Sequence, residues 1–210
     1  MSMFDAYQLG ELGRSLSVLS DAERATLAAR ASEKNGKLYF RCLSRNKDVQ
    51  AKPEEVIRQV WLHRLTTEYG YPLSRIRVED PIRMGRDTSK RADIIITDED
   101  HAGSIYAIIE IKHAKERDGK DQLKSYTNAT GAPLAMWSNG VEMVVWNRKD
   151  PNYFIQIPEL PTASQTIESI VNQPWTIKDL LDKEAERLSP ICPTSWLSLG
   201  ATDTTNPICH

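Results

Sequence analysis

RADIIITDEDHAGSIYAIIEIKHAKERDGKDQLKSY, running from Arg91 to Tyr126, carries two isoleucine-rich runs and most of the chain's patterned charge. The runs 92–97 and 105–112 are strand-length and β-branched, and the polar connector Asp98–Ser104 holds a glycine, which suits an antiparallel hairpin. Residues i and i+2 of a strand share a face, so Glu110 and Lys112 project together while Ile109 and Ile111 turn to the other side. The hairpin brings Asp93, at the start of the first run, beside them. Charges set among isoleucines are costly unless something pairs with them or needs them.

Working outward, Arg75–Glu79 reads as a preceding strand and 119–129 as a following helix. Leu134–Ser138 and Val141–Trp146 flank Asn139-Gly140, a strong hairpin signal. Upstream, Pro53 at a first helical position opens a helix to about Tyr69, with Val56, Ile57, Val60, Trp61 and Leu65 forming an apolar face. Ser20-Asp21-Ala22-Glu23 has capping-box spacing, and Lys37–Leu43 suits a short strand. The order is helix, three strands, helix, two strands (αβββαββ). This is an α/β (α+β) chain with a central mixed sheet flanked by helices. The predicted domains are a helical extension over 1–36, a core over 37–148, and, over 149–210, an extended arm, a short helix from Thr176 to Leu188 and a disordered tail.

The chain has 210 residues and a formal charge of −2, so it lacks the strongly basic balance of a simple nucleic-acid binder. Charge is uneven, however: nine Lys and Arg against four acids between Arg30 and Arg64, and three against seven between Asp150 and Leu188. A basic front half can meet phosphates locally, although a solvated helix face explains the same count. Cys42, Cys192 and Cys209 form no CxxC pair, so neither a zinc site nor a disulfide scaffold is expected, and a reduced cytoplasmic setting is the default. Cys42 reads as a small buried hydrophobe, and Trp61 and Trp137 as core residues. The N-terminal residues do not resemble a signal peptide, and no run approaches the ~20 apolar residues of a membrane span.

Asp93 and Glu110 with a backbone carbonyl and waters make an oxygen-rich site suited to Mg²⁺, with Mn²⁺ as a substitute. Such an ion activates a water and polarises a phosphoryl oxygen, and Lys112 is placed to orient that water or stabilise developing charge. Taken alone, Glu-x-Lys is explained by an ion pair on a strand face. Gln122 and Tyr126, at i and i+4, offer an amide and a phenol to a phosphate or sugar, or simply decorate a helix surface. Glu54 and Glu55 suit a first helical turn with no further role; if one reaches the metal, Glu55 is the first choice. Arg83, Arg86, Lys90 and Arg91 are candidate phosphate contacts, whereas His101 and His113 read as exposed histidines.

The series PEEVIRQ (53–59), RAD (91–93), EIK (110–112), QLKSY (122–126) and SNG (138–140) resembles the N-terminal nuclease domain of type I restriction enzyme R subunits, within the PD-(D/E)xK nuclease superfamily. The resemblance spans about Lys37 to Arg148 and departs at Ala92, where the superfamily motif has proline. It implies a restriction-endonuclease-like core, Asp93 and Glu110 as Mg²⁺ ligands with Glu55 as the helix acid, and Lys112 as the catalytic lysine. Gln122 and Tyr126 would contact DNA. The implied partners are DNA and the methyltransferase, specificity or motor subunits of a restriction-modification system. No GxxxxGK[ST] loop and no Asn-Pro-Pro-Tyr motif occurs in the sequence, which suits a stand-alone relative or, given the sparse tail, a truncated piece. A Mg²⁺-dependent endonuclease is the leading expectation; a non-cutting DNA-binding or assembly module of such a complex is the alternative.

Overall fold

The isoleucine runs become two adjacent interior strands of a six-stranded sheet because they are apolar on both faces and can be covered on both. The computed structural model describes residues 4–83, 89–101 and 103–172, all within one compact unit. The large sheet has the order β4 (Ile76–Pro81), β5 (Arg91–Thr97), β6 (Ile105–Ile111), β7 (Leu134–Ser138), β8 (Met143–Asp150), β9 (Tyr153–Ile157). All neighbours are antiparallel except β6 and β7, which are parallel and joined by the crossover helix α4 (Lys120–Thr130). The result is the mixed sheet and the αβββαββ order read from the sequence, extended by one strand.

On one face Ile94, Ile96, Ile109, Ile111 and Met136 join a core with helix α3 (Pro53–Thr67); on the other, Ile95, Ile108, Ala135 and Trp137 pack with Leu123 and Tyr126 of α4. Trp61, Trp137 and Cys42 are buried, as expected. Helix α3 was expected to bury one stripe, yet Glu55 to Leu62 are buried without interruption. Its outer side is covered by helix α1 (Gly10–Ser17) and by Leu38 and Phe40 of a second, three-stranded sheet: β1 (Ala31–Lys34), β2 (Lys37–Arg41) and β3 (Asp48–Gln50). The helix α2 (Asp21–Ala28) begins with the expected capping box: Ser20 accepts from the Glu23 N–H while the Glu23 carboxylate accepts from the Ser20 N–H.

Two local readings change. The sequence places residues 153–157 in an extended arm; they form edge strand β9 on β8, with Ile157 in the core, and the following segment is tied down where the Tyr71 hydroxyl donates to Pro161 O and the Ala163 N–H donates to Tyr69 O. A short helix, α5 (Ile167–Val171), capped by Thr166, follows. The Asn139-Gly140 pair does not form a two-residue turn. Register Ser138↔Met143 leaves a four-residue loop in which Asn139 Oδ1 accepts from the N–H groups of Val141 and Glu142. The two-residue Asn-Gly turn lies instead at Asn35-Gly36, both with positive φ, between β1 and β2. A boundary at 36/37 therefore runs through one hairpin and one at 148/149 through strand β8, just ahead of the β8–β9 turn. The helix expected over Thr176–Leu188, the tail, Cys192 and Cys209 lie outside the described residues, and among those described no helix is long and apolar enough to cross a membrane.

If β9 is part of the core, Ile157→Ala will destabilise the protein by about 2–5 kcal/mol in urea unfolding. An arm outside the core would give ~0.5 kcal/mol or less.

Candidate active site

Register across the sheet sets the site. The β5–β6 ladder pairs Ile94 with Ile109, and one step further Asp93 falls opposite Glu110. There the strand bonding gives way to a side chain: the Ile111 N–H donates to Asp93 Oδ2 at 2.8 Å. Asp93 Oδ1 takes a hydrogen bond from Arg58 Nη2 of helix α3. A carboxylate has about four lone-pair sites, so each oxygen keeps capacity for another partner.

Glu110 is 3% exposed, and its Oε1 lies 3.0 Å from Lys112 Nζ. Burial, and after it the charge of Asp93, pushes its carboxyl up to about 7. Burial works against the Lys112 ammonium, but the hydrogen bond and charge of Glu110 outweigh it and hold the group above its ordinary value. The Lys112 N–H donates to Ser138 O of β7 at 2.9 Å, which fixes the lysine backbone where β6 ends. Gln122 Nε2 donates to the Tyr126 hydroxyl at 2.7 Å. Tyr126 is buried, and burial followed by the Glu110 charge raises its phenol. Asp93, Glu110, Lys112 and Tyr126 therefore share one electrostatic neighbourhood, with Gln122 exposed at its edge.

Helix α3 delivers the other acid. Glu55, the first choice for the metal, is turned away: Oε1 meets Arg45 Nη2 and Gln59 Nε2, both at 2.7 Å, and Oε2 meets Arg58. Glu54, half buried, is the acid that feels the site. Burial raises its carboxyl, the Lys112 charge lowers it and the Asp93 charge raises it again. Neighbouring helix positions point about 100° apart, so one acid takes the inner face and the other the open end of the sheet. Arg83, Lys90 and Arg91 are exposed around the β4–β5 connection, and Arg91 Nη1 donates to Glu79 O at 3.0 Å; Arg86 lies outside the described residues. His113 pairs with Glu116 and His101 with Asp98, so both have local partners.

Sequence reasoning missed four residues here. Arg58 and Arg45 are 7% and 13% exposed and hold the acids from below; the spacing of Arg58 three residues after Glu55, inside an apolar helix, was the available signal. Glu79, opposite Asp93 in the β4–β5 register, has φ +53° and sends its carboxylate to both arginines; such a backbone costs of order 1–3 kcal/mol in a non-glycine residue. Gly119 caps α4 with φ +93°, and a Cβ there would stand 2.7 Å from Lys112 Cε and 3.6 Å from Glu110 Cγ.

Among the described residues no three His, Cys, Asp or Glu side chains form a ready cage for a metal. Mg²⁺ asks for less, typically one or two carboxylates with the remainder water. Five acids (Glu54, Glu55, Glu79, Asp93, Glu110) face three cations (Arg45, Arg58, Lys112), an excess of two negative charges when all are ionised. That excess, with a buried carboxyl raised by its neighbour, suits a divalent cation.

Gly119→Ala will destabilise the protein in denaturant melts, and the cost will shrink in a Lys112→Ala background, because the added methyl group then meets no lysine. Equal costs in both backgrounds would show that only the left-handed backbone matters there.

No curated protein matches this chain. Residues 53–161, more than half of it, match the family of the type I restriction enzyme R protein N terminus; this segment begins at helix α3, ends just past β9, and contains Glu54, Asp93, Glu110, Lys112, Gln122 and Tyr126. With the mixed sheet, the crossover helix and the acid–lysine cluster already in place, the match means that the chain belongs to the type I restriction enzyme R protein N-terminus family.

Proposed function

We propose that this domain is a metal-dependent endodeoxyribonuclease of a type I-like restriction-modification system. The observation that carries the reading is the convergence of Asp93, Glu110 and Lys112 at the point where β5 and β6 part, with an excess of acid around them. Asp93 and Glu110 would hold Mg²⁺, or Mn²⁺ in its place, with Glu54 rather than Glu55 as the acid supplied by helix α3. Bound there, the ion would lower the pKa of a water and polarise the scissile phosphate.

The protein's own groups have separable tasks. Glu110 must lose its proton to serve as a ligand, and Lys112 favours that loss. Lys112, kept protonated by Glu110, can then hold the attacking water or donate toward charge that builds on the phosphate oxygens. Gln122, exposed on α4 and bonded to Tyr126, offers its amide to the DNA backbone, and Lys90 and Arg91 offer exposed positive charge at the start of β5, with Arg83 further off beside the end of α4. DNA and the methyltransferase, specificity and motor subunits of such a system are the partners this reading calls for.

One observation favours a second reading, a silent DNA-binding or assembly module. Asp93 and Glu110 each already have a cationic partner, in Arg58 and Lys112, so the cluster can persist as an ion-pair network without metal. Plasmid DNA with Mg²⁺ or EDTA separates the two. Under the nuclease reading, wild type nicks or cuts only with Mg²⁺, and Asp93→Ala and Lys112→Ala, each first shown to be folded by circular dichroism, lower the rate by at least about 100-fold. Salt-sensitive DNA binding with no Mg²⁺-dependent cleavage would establish the silent module instead.

The Glu110 proton gives a second check. With the folded carboxyl near 7 and the unfolded one near ~4.3, the folded protein holds the extra proton between those values, so this group makes the metal-free protein less stable as pH rises from 4.3 to 7. Metal and proton compete for Glu110, so Mg²⁺ affinity will fall by up to about tenfold per pH unit below 7. Thermal shifts on adding Mg²⁺ will therefore be larger at pH 8 than at pH 6, and Glu110→Gln will remove the difference.

A further inference from the structure

Arg45 lies in the turn between β2 and β3, outside the family-matched residues 53–161. Its guanidinium serves three acceptors at once: Nη2 to Glu55 Oε1 at 2.7 Å, Nη1 to Glu79 Oε2 at 3.0 Å, and Nε to Cys42 Sγ at 3.3 Å. Arg58 takes the opposite oxygen of each carboxylate, Glu55 Oε2 and Glu79 Oε1, through its Nη1. Two arginines and two glutamates thus close a ring of alternating charge, joining the turn, helix α3 and strand β4. Arg58 uses Nη1 for the ring and keeps Nη2 for Asp93, while its Nε has no hydrogen-bond partner among the described residues.

We infer that Arg45 is a positioning residue for Asp93, acting through Glu55 and Glu79 on Arg58; the inference rests on the reading of Asp93 as a metal ligand. With Arg45 in place, Glu55 and Glu79 are shared between two cations and Arg58 is centred between them. Without it, both carboxylates have Arg58 as their remaining ring partner and draw it from Asp93. The turn is built to hold Arg45 still. Asn46 adopts φ +47° and its N–H donates to Cys42 O at 3.0 Å; Arg41 Nη2 donates to Asn46 Oδ1 at 2.9 Å; Ser44 Oγ donates to Ile76 O of β4 at 2.9 Å. Only a planar fork reaches two carboxylates and a thiol together; a lysine ammonium is a point charge on a flexible stem. The small N-terminal sheet thereby becomes part of the catalytic unit.

The Ile111 amide, which donates to Asp93 Oδ2, reports the position of that carboxylate in metal-free protein. The test compares the Ile111 amide proton shift by NMR, and Mn²⁺ affinity by calorimetry, in wild type, Arg45→Met, Arg45→Lys, Ser44→Ala and Asp93→Asn. Arg45→Met is expected to move the Ile111 signal toward its position in Asp93→Asn and to weaken Mn²⁺ binding about tenfold, with Arg45→Lys close behind. Ser44→Ala loosens the same turn but keeps Arg45 and the Asn46 contacts, and should move both readouts less than Arg45→Met does. If Arg45→Met does not fold, Glu79→Gln tests the ring from its exposed side: with one competitor for Arg58 removed, the Ile111 signal should move in the direction opposite to that in Asp93→Asn. An unmoved Ile111 signal in these ring variants, or an equal movement in Ser44→Ala, would overturn the positioning role. A moving Ile111 signal in a wild-type background that binds no Mn²⁺ would uphold the coupling of Arg45 to Asp93 and overturn the metal-dependent reading instead.

Discussion

Arg58 is a guanidinium 7% exposed in a helix otherwise lined with Val56, Ile57, Val60 and Trp61. A buried charge left without a partner costs several kcal/mol, so carboxylates from separate elements must converge on it: Glu55 from its own helix, Glu79 from β4 and Asp93 from β5. Those pairs fix the rotation of α3 about its axis. Once Glu55 is committed inward, Glu54 is left at the open end of the sheet, beside Asp93 and Lys112. The choice between two adjacent glutamates is thus a consequence of one buried cation.

The sheet sets the second half of the site. Asp93 receives the Ile111 N–H in place of continued strand pairing, so β5 and β6 separate where the acids need room. The next connection is parallel, and a parallel pair requires a crossover. That crossover is α4, which starts at Gly119 over Lys112 and carries Tyr126 back to the charge of Glu110. Gly119 permits the close approach of backbone to lysine that this return demands. The acid pair, the lysine and the helix are therefore consequences of one topological step, β6 to β7.

The family match begins at Pro53, whereas the arginine that shares Glu55 and Glu79 belongs to the turn before β3. The small sheet also covers the outer side of α3 with Leu38 and Phe40. Together these make the N-terminal elements a support for the helix that feeds the site, in packing as well as in charge.

Strands β5 and β6, α4, the apolar stripe of α3 and the capping box at Ser20 were legible because each depends on a local period or a spacing of a few residues. So was the grouping of Glu110 with Lys112, which follows from strand alternation alone. β9 was not, because the prolines around Tyr153–Ile157 suggest an arm and its strand character comes from pairing with β8. The two-residue Asn-Gly turn falls at Asn35-Gly36 and not at Asn139-Gly140 for a similar reason: strand register, fixed by burial, decides how many residues are left for the turn. The sequence by itself determined which residues can form strands and helices and which charges share a strand face, since those depend on backbone geometry over a few residues. Only the tertiary structure decided that Glu54 and not Glu55 faces the site, that Arg45 and Arg58 interleave with Glu55 and Glu79, and that Gly119 lies on Lys112. Those outcomes depend on the cost of burying charge, which exists only once distant segments have excluded water from one another.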